Sequence, residues 1–519
     1  MSGGARPWWE QRWSVAALAL LAMVPLLWPD IPPLVDLPGH MGRYHIQLNL
    51  DSSPGLQRFY SFEWALIGNL GVDLLIVPLA KLFGLELATK LIVLAIPPLT
   101  VLGFLWVARE IHGRVPPTAL LSVPFAYGHP FIFGFVNFSL SMALAFLAFA
   151  LWLRLARLGL LRLRAALFVP ISLLLWLCHA FGWGTLGVMA FSAELIRQHD
   201  NGRTWFAAGF NAGLHCLSMA LPMVLMLAWR QSDVGGGTGD WFNWRAKYMW
   251  LIMALRDRWF LFDLASVIFV LLTIFAAIRS PRLSFSRNLA TSGLFLLLVY
   301  IALPRILFGS AYADMRLIPY LLAVGVIAIR LRESTSRAFA RGLAVMALAF
   351  VLVRIGANTY SFWLYDRTYD RELAAVAHIP EGARLISFVG APCRPNWRMS
   401  RLEHLPAIAL VRRDAFSNDQ WSMPGAQLAS ATYPAAGGYR RDPSQIVGAR
   451  QCRGEIWRSI AASLQGFPRD AFDYVWLIDP PPHDARLTRG LQPVWRSGTS
   501  VLYRVVDRAP PLLLPEKVW

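Results

Sequence analysis

The chain has 519 residues, of which 56% are hydrophobic and only 15% charged. Its mean hydropathy is +0.46, and soluble domains carry about 25% charged residues, so an ordinary soluble enzyme is excluded. The net charge of +18 does not make it a nucleic-acid binder, because the arginines cluster in short loops between apolar runs, as they do on the cytoplasmic side of membrane proteins.

Apolar runs near the bilayer-spanning length of about 20 residues recur from residue 14 to residue 356. They are continuously apolar rather than alternating, which predicts helices and excludes a barrel. Spans are expected over 14–28, 88–108, 117–132, 137–153, 162–178, 181–196, 204–229, 259–278, 288–303, 316–330 and 339–356, about eleven crossings. The first is retained, since Trp28-Pro29-Asp30-Ile31-Pro32-Pro33 offers no small-residue cleavage site. The stretch 60–84 is interrupted by Glu63, Asn69, Asp73 and Lys81, and is expected to lie along the outer surface as a helix. Arg6, Arg12, Arg109, Arg114, Arg154, Arg157, Arg162, Arg164, Arg197 and Arg203 then fall on one face, which is expected to be cytoplasmic, with the amino terminus on that side.

Carboxylates, imidazoles and further guanidinium groups gather on the opposite face. The first outer loop, 29–87, opens with Asp36, His40, Arg43 and His45. His129 lies at the outer end of the third helix and His179 at the outer end of the fifth. Arg256, Asp257 and Arg258 precede the eighth, and Arg305, Asp314 and Arg316 flank the loop between the ninth and tenth. Ionisable groups at a membrane boundary are functional candidates by default, although His129 and His179 also suit helix breaks. Asp36, His40 and His45 have metal-ligand side chains, but their spacing matches no named ligand motif. No metal site is assigned, and a divalent metal is left open as a cofactor. Pro38 and Gly39 argue against one continuous helix in this segment.

After residue 356 the chain becomes richer in Arg, Asp, Pro and Gly. Strands are expected over 383–389, 407–411, 474–478 and 500–505, with helical stretches near 400–406 and 454–465. Residues 360–519 are read as an outer, periplasmic α/β domain, and 1–359 as a transmembrane module. Cys393 and Cys452 can pair if this domain faces an oxidising compartment. Gly235-Gly236-Gly237-Thr238-Gly239 is read as a flexible element, not a phosphate loop, for it lacks the Lys-Ser/Thr pair.

One amino-terminal helix, a long outer loop with an early Asp, a surface helix, many further helices and an outer α/β domain together resemble the GT-C glycosyltransferases. The stretches Pro78-Leu79-Ala80-Lys81-Leu82-Phe83-Gly84 and Ala108-Arg109-Glu110-Ile111-His112-Gly113-Arg114 look like the bacterial members of the protein mannosyltransferase and aminoarabinose transferase group. Asp36 is followed by Leu37, where many members carry a second acidic residue. The resemblance implies a polytopic α-helical GT-C-like fold in a bacterial inner (cytoplasmic) membrane and transfer of a sugar from a polyprenyl-phosphate carrier to an extracytoplasmic glycan, lipid or protein acceptor. Asp36 is then the expected base, and Arg43, Arg305 and Arg316 the expected phosphate partners. His40, His45, His129 and His179 are expected around the phosphate or sugar, and Asp314 would orient Arg316 or bind sugar hydroxyls. The competing readings are a flippase or transporter of lipid-linked sugars and a non-catalytic scaffold of a polysaccharide export system. A transporter favours midplane charges and internal repeats, and the sequence shows few of the former and none of the latter.

Overall fold

In the computed structural model, residues 6–228, 237–307, 309–393, 396–423 and 427–509 are described. Among them five helices are long and apolar enough to cross a bilayer: Leu85–His112, Val136–Arg157, Leu161–Cys178, Phe260–Arg279 and Arg337–His378. The pair Trp205–Met219 and Leu221–Leu227, bent by 70°, makes a sixth if it is one span. Shorter apolar helices occupy Arg12–Leu26, Arg287–Ala302 and Met315–Ile327. Large apolar side chains such as Leu174, Phe206, Leu261, Leu272 and Ile278 stay exposed. Apolar surface on this scale needs lipid around it, and the protein is a polytopic membrane protein.

The described chain folds as two compact units, one of Met1–Trp28, Leu66–Leu75 and Leu91–Ser361, the other of Pro29–Ala65, Ile76–Lys90 and Phe362–Trp519. In the first unit the run expected to span over 117–132 is not one α-helix. It is a 3-10 helix, Pro117–Tyr127, followed by a short α-helix, His129–Phe133. Pro124 and Pro130 remove amide donors, and the break at Gly128 lets the His129 amide bond the carbonyl of Ala254 at 3.1 Å. Asn137, at the start of Val136–Arg157, receives the amide of Val72 at 2.6 Å and donates to Asn69 and Asp73. Arg354 and Asp263, each 1% exposed, pair at 2.8 Å. Asp263 also accepts the amides of Asp257 and Arg258, and Arg354 donates to the carbonyl of Leu255 at 2.8 Å. This ion pair therefore fixes the 255–258 segment that precedes Phe260–Arg279.

The second unit is built on a six-stranded mixed sheet. Its order is Arg458–Ser459, Ile446–Gly448, Leu385–Gly390, Tyr474–Ile478, Ser500–Val505, Leu491–Ser497. The first four strands run parallel, Leu385 standing opposite Tyr474 and Val389 opposite Ile478, and the last two join as antiparallel neighbours. Ile386, Phe388, Val475, Leu477 and Val501 form the core together with Ile46, Leu56, Phe59 and Tyr60 from the amino-terminal part of the chain. Each fully buried Phe, Leu or Ile contributes about 1.5–3 kcal/mol, so residues 46–60 are part of this core's stability. Cys393 and Cys452 are joined in a disulfide, their Cα atoms 5.2 Å apart.

Several local expectations are corrected. Residues 60–84 are not one surface helix, for Tyr60–Phe62 pairs antiparallel with Ala429–Ala431 and the helix covers only Gly71–Phe83. At 1.5 Å per residue that helix is about 20 Å long, too short to span. Residues 407–411 form a helix, Ala407–Arg413, not a strand. A five-residue apolar run fits either, and here the Asp419 carboxylate accepts the Ala407 amide at 2.9 Å and starts the helix. Residues 400–406 are turns, with Arg401 in the left-handed region at φ 59°, and the helix expected over 454–465 is confined to Ile460–Gly466, capped by Ser459. Gly235 and Gly236 of the glycine run lie outside the described residues.

Candidate functional site

Asp36 heads a continuous helix, Leu37–Asn49, despite Pro38 and Gly39. Pro38 sits in the first turn, where no helical partner awaits its missing donor. The two glycines carry a helix penalty of about 1 kcal/mol each, and their surroundings explain them. A Cβ at Gly39 would come within 2.8 Å of the Trp421 ring, and one at Gly42 within 2.6 Å of the Gln420 side-chain nitrogen. The bare backbone lets the helix lie directly against the 404–421 segment. The Asp36 side chain does not cap its own helix. Arg401, fully buried, donates to the Pro33 carbonyl at 2.7 Å and lies 4.0 Å over the Tyr365 ring, which anchors the approach to Asp36.

Around this helix the structure assembles residues that the sequence reading passed over. His404 is buried, and its Nδ1 lies 3.0 Å from the Asp419 carbonyl oxygen. A carbonyl only accepts, so Nδ1 carries the proton and Nε2 is the titrating atom, 3.9 Å from the Asp442 carboxylate. Burial alone would lower the pKa of His404, but Asp442, Asp36, Asp419 and Glu403 outweigh it and raise the pKa above the ordinary imidazole value. Asp419 is fully buried, and burial pushes its carboxyl up to about 6 against the opposing pull of His404 and the hydrogen bonds from Ser417 and Gln420. His40 moves the other way. Burial, then the nearby Arg43 and His404, hold it well below the usual range. The Trp421 ring packs against both imidazoles, 4.9 Å from His40 and 4.3 Å from His404 between centroids. Arg43, 3% exposed, donates Nη1 to Gln427 and lies 5.1 Å from the centre of the Tyr44 ring.

Asp36, His40 and Arg43 thus share one cluster, and His45 does not act with them. Its Nε2 meets Asp414, and its Nδ1 lies 3.2 Å from the Asn49 amide. With both ring nitrogens occupied, His45 ties its helix to the end of Ala407–Arg413.

The remaining candidates lie in the first unit. Arg316 sits 4.4 Å over the Phe135 ring, with Phe138 and Phe181 at 5.9 and 5.6 Å, and donates to the Ser310 hydroxyl at 3.0 Å. His179 shares two of those rings, with Phe138 at 5.6 Å and Phe181 at 5.7 Å, while its Nδ1 accepts the Phe181 amide at 3.1 Å as a helix cap. His129 is buried and faces Phe133, whose ring also contacts Phe135. Asp314 does not orient Arg316. It accepts the Met315 amide at 3.0 Å and pairs with buried Lys247 at 3.3 Å, a lysine that also donates to the carbonyls of Tyr300 and Leu303. Arg305 forms a partly exposed ion pair with Asp240.

Among the described residues no three His, Cys, Asp or Glu side chains are grouped to hold a metal ion. His404 and Lys247 each border an apolar run that reads as core, and Asp419 lies in the short polar run Ser417-Asn418-Asp419-Gln420, which was the available signal.

Comparison with family models gives no match, and comparison with curated proteins gives none. Among solved structures, the chain is similar to a crystal structure of ArnT from Cupriavidus metallidurans bound to undecaprenyl phosphate. The identity is 13%, over 95% of this chain and 98% of that one, with a TM-score of 0.48. The apo state of the same enzyme gives 13% identity over 95% and 97%, with a TM-score of 0.46.

Proposed function

We propose that the protein is a glycosyltransferase that moves a sugar from a polyprenyl-phosphate carrier to an acceptor outside the cytoplasm. The observation that carries this reading is the cluster on the helix headed by Asp36, where a carboxylate, a guanidinium, a neutral imidazole and a readily protonated imidazole are packed together. In the reaction, an acceptor hydroxyl oxygen attacks the anomeric carbon and its proton passes to the Asp36 carboxylate. The bond from that carbon to the phosphate oxygen breaks, and the electron pair leaves with the polyprenyl phosphate. Arg43 and protonated His404 compensate the charge that develops on the phosphate. His40, held neutral beside Trp421, supplies a hydrogen bond to a sugar hydroxyl without adding charge. In the helical unit, Arg316 among its three rings is the cation best suited to an anionic group.

The topology proposed with this function has about eleven crossings, a cytoplasmic amino terminus and residues 360–519 in the periplasm. The Cys393–Cys452 disulfide supports an oxidising exterior for that part of the chain. The reading is tested by incubating the purified protein with a panel of polyprenyl-phosphate sugars and following sugar transfer or release. Turnover of at least one donor is expected, and no turnover of any would favour a transport or scaffold role.

A further inference from the structure

The first unit carries a second concentration of cations, formed by none of the residues proposed for sugar transfer. Arg12, Trp106, Arg109, Glu110, Arg154 and Arg157 line a cavity of about 340 Å³. They come from the start of Arg12–Leu21 and from the carboxy-terminal ends of Leu85–His112 and Val136–Arg157. The charges do not balance. Glu110, its side chain 4% exposed, accepts Arg157 Nε at 3.1 Å and Nη2 at 2.7 Å, and also the Trp106 indole at 3.1 Å. Arg154 reaches the same carboxylate only at 3.9 Å. Arg12 and Arg109 are exposed and have no hydrogen-bond or ion-pair partner among the described residues. Within this cavity four guanidinium groups therefore share one carboxylate, and their mutual repulsion favours an anion between them.

A neighbouring cavity of about 310 Å³ shares Arg12, Trp106 and Arg109, adds the carboxylate of Glu10, and continues along Val15, Leu102, Leu105, Val115 and Leu147, so that over both cavities four guanidinium groups face two carboxylates and positive charge stays in excess. A small inorganic anion would leave this apolar extension unused. We propose that the two cavities together bind one anionic phospholipid. The headgroup phosphodiester lies among Arg12, Arg109 and Arg154, where guanidinium pairs with phosphate oxygens in a bidentate manner. The glycerol and upper acyl chain lie along the leucines. These arginines belong to the set that the charge pattern assigns to the cytoplasmic face, where anionic lipid headgroups are recognised by basic pockets between helices.

The test uses the full-length protein and measures retained lipid by native mass spectrometry after exposure to phosphatidylglycerol or phosphatidylcholine. The wild type should retain phosphatidylglycerol about tenfold more than phosphatidylcholine, and Arg12→Gln with Arg109→Gln should remove that preference about tenfold. The paired Arg12→Lys and Arg109→Lys variant should keep part of it, because charge remains while bidentate geometry is lost. Should the Gln variant fail to fold, competition on the wild type decides: millimolar inorganic phosphate should leave phosphatidylglycerol bound. Equal retention of the two lipids, unchanged retention in a folded Gln variant, or full displacement by inorganic phosphate would each overturn the proposal.

Discussion

The two units treat buried charge differently. In the helical unit, Arg354 with Asp263, Lys247 with Asp314 and Arg164 with Glu194 are opposite charges locked together at 2.8, 3.3 and 3.1 Å. Each pair adds bonds to backbone or neighbouring side chains, so its charge is spent on architecture. In the second unit, Asp36, His40, Arg43, His404, Asp419 and Asp442 form a mixed group in which protonation is shifted, upward at His404 and Asp419 and downward at His40. Locked pairs hold a fold, whereas a group of shifted acids and bases is where proton transfer and charge compensation are available. Burial alone therefore does not mark the functional residue.

The comparison breaks most sharply if the locked pairs are not structural. Arg354→Ala should destabilise the protein by about 3–5 kcal/mol, because Asp263 is left buried and charged. Thermal unfolding in detergent measures this, and an unchanged midpoint would remove Arg354 from the architectural class. A smaller effect is expected where helix and cluster meet. Gly39→Ala forces the Trp421 ring away, at an overpacking cost of about 1–3 kcal/mol partly offset by higher helix propensity. Sugar transfer should fall with it, and full activity would show that the close approach does not matter.

The pH dependence of the second unit sharpens the contrast. The folded Asp419 carboxyl is raised to about 6, so the folded state keeps a proton that the unfolded chain releases near its ordinary value of about 3.9. Stability from this group is therefore greatest at low pH and declines as pH rises through about 6. The raised pKa of His404 has the same sign, with its contribution lost as pH rises through the folded value. Asp419→Asn should flatten the acidic part of a stability profile taken by chemical denaturation, and an unaltered slope would contradict the assignment. The smallest effect is expected at Arg305→Gln, whose partly exposed pair with Asp240 is worth about 0–1 kcal/mol. A larger loss in the unfolding midpoint, or a large loss of transfer, would return Arg305 to the site.

The sequence was most legible where length and continuity carried the signal. The long apolar helices and the strands at Leu385–Gly390, Tyr474–Ile478 and Ser500–Val505 lie where their patterns predicted. Short elements were not, because five apolar residues at 407–411 suit a helix as well as a strand and only the distant Asp419 decides between them. Asp36, His40 and Arg43 were legible as a group because they lie close together in the chain, whereas the single helix that carries them was not, since Pro38 and Gly39 argued against it. His404 and Trp421 were not, since nothing local in the chain says that they pack on residues more than 360 positions earlier. His45 is a further case, a residue whose contact with Asp414 nothing local in the chain announces.

Asp36 is proposed to take the acceptor proton. Its most direct test is single-turnover sugar transfer by Asp36→Asn, measured beside polyprenyl-phosphate binding by the same variant. A positioned base contributes about 10²–10⁴-fold, so transfer should fall by that factor while binding is retained. Transfer within about threefold of the wild-type rate would contradict the account, since losing a general base costs far more than that.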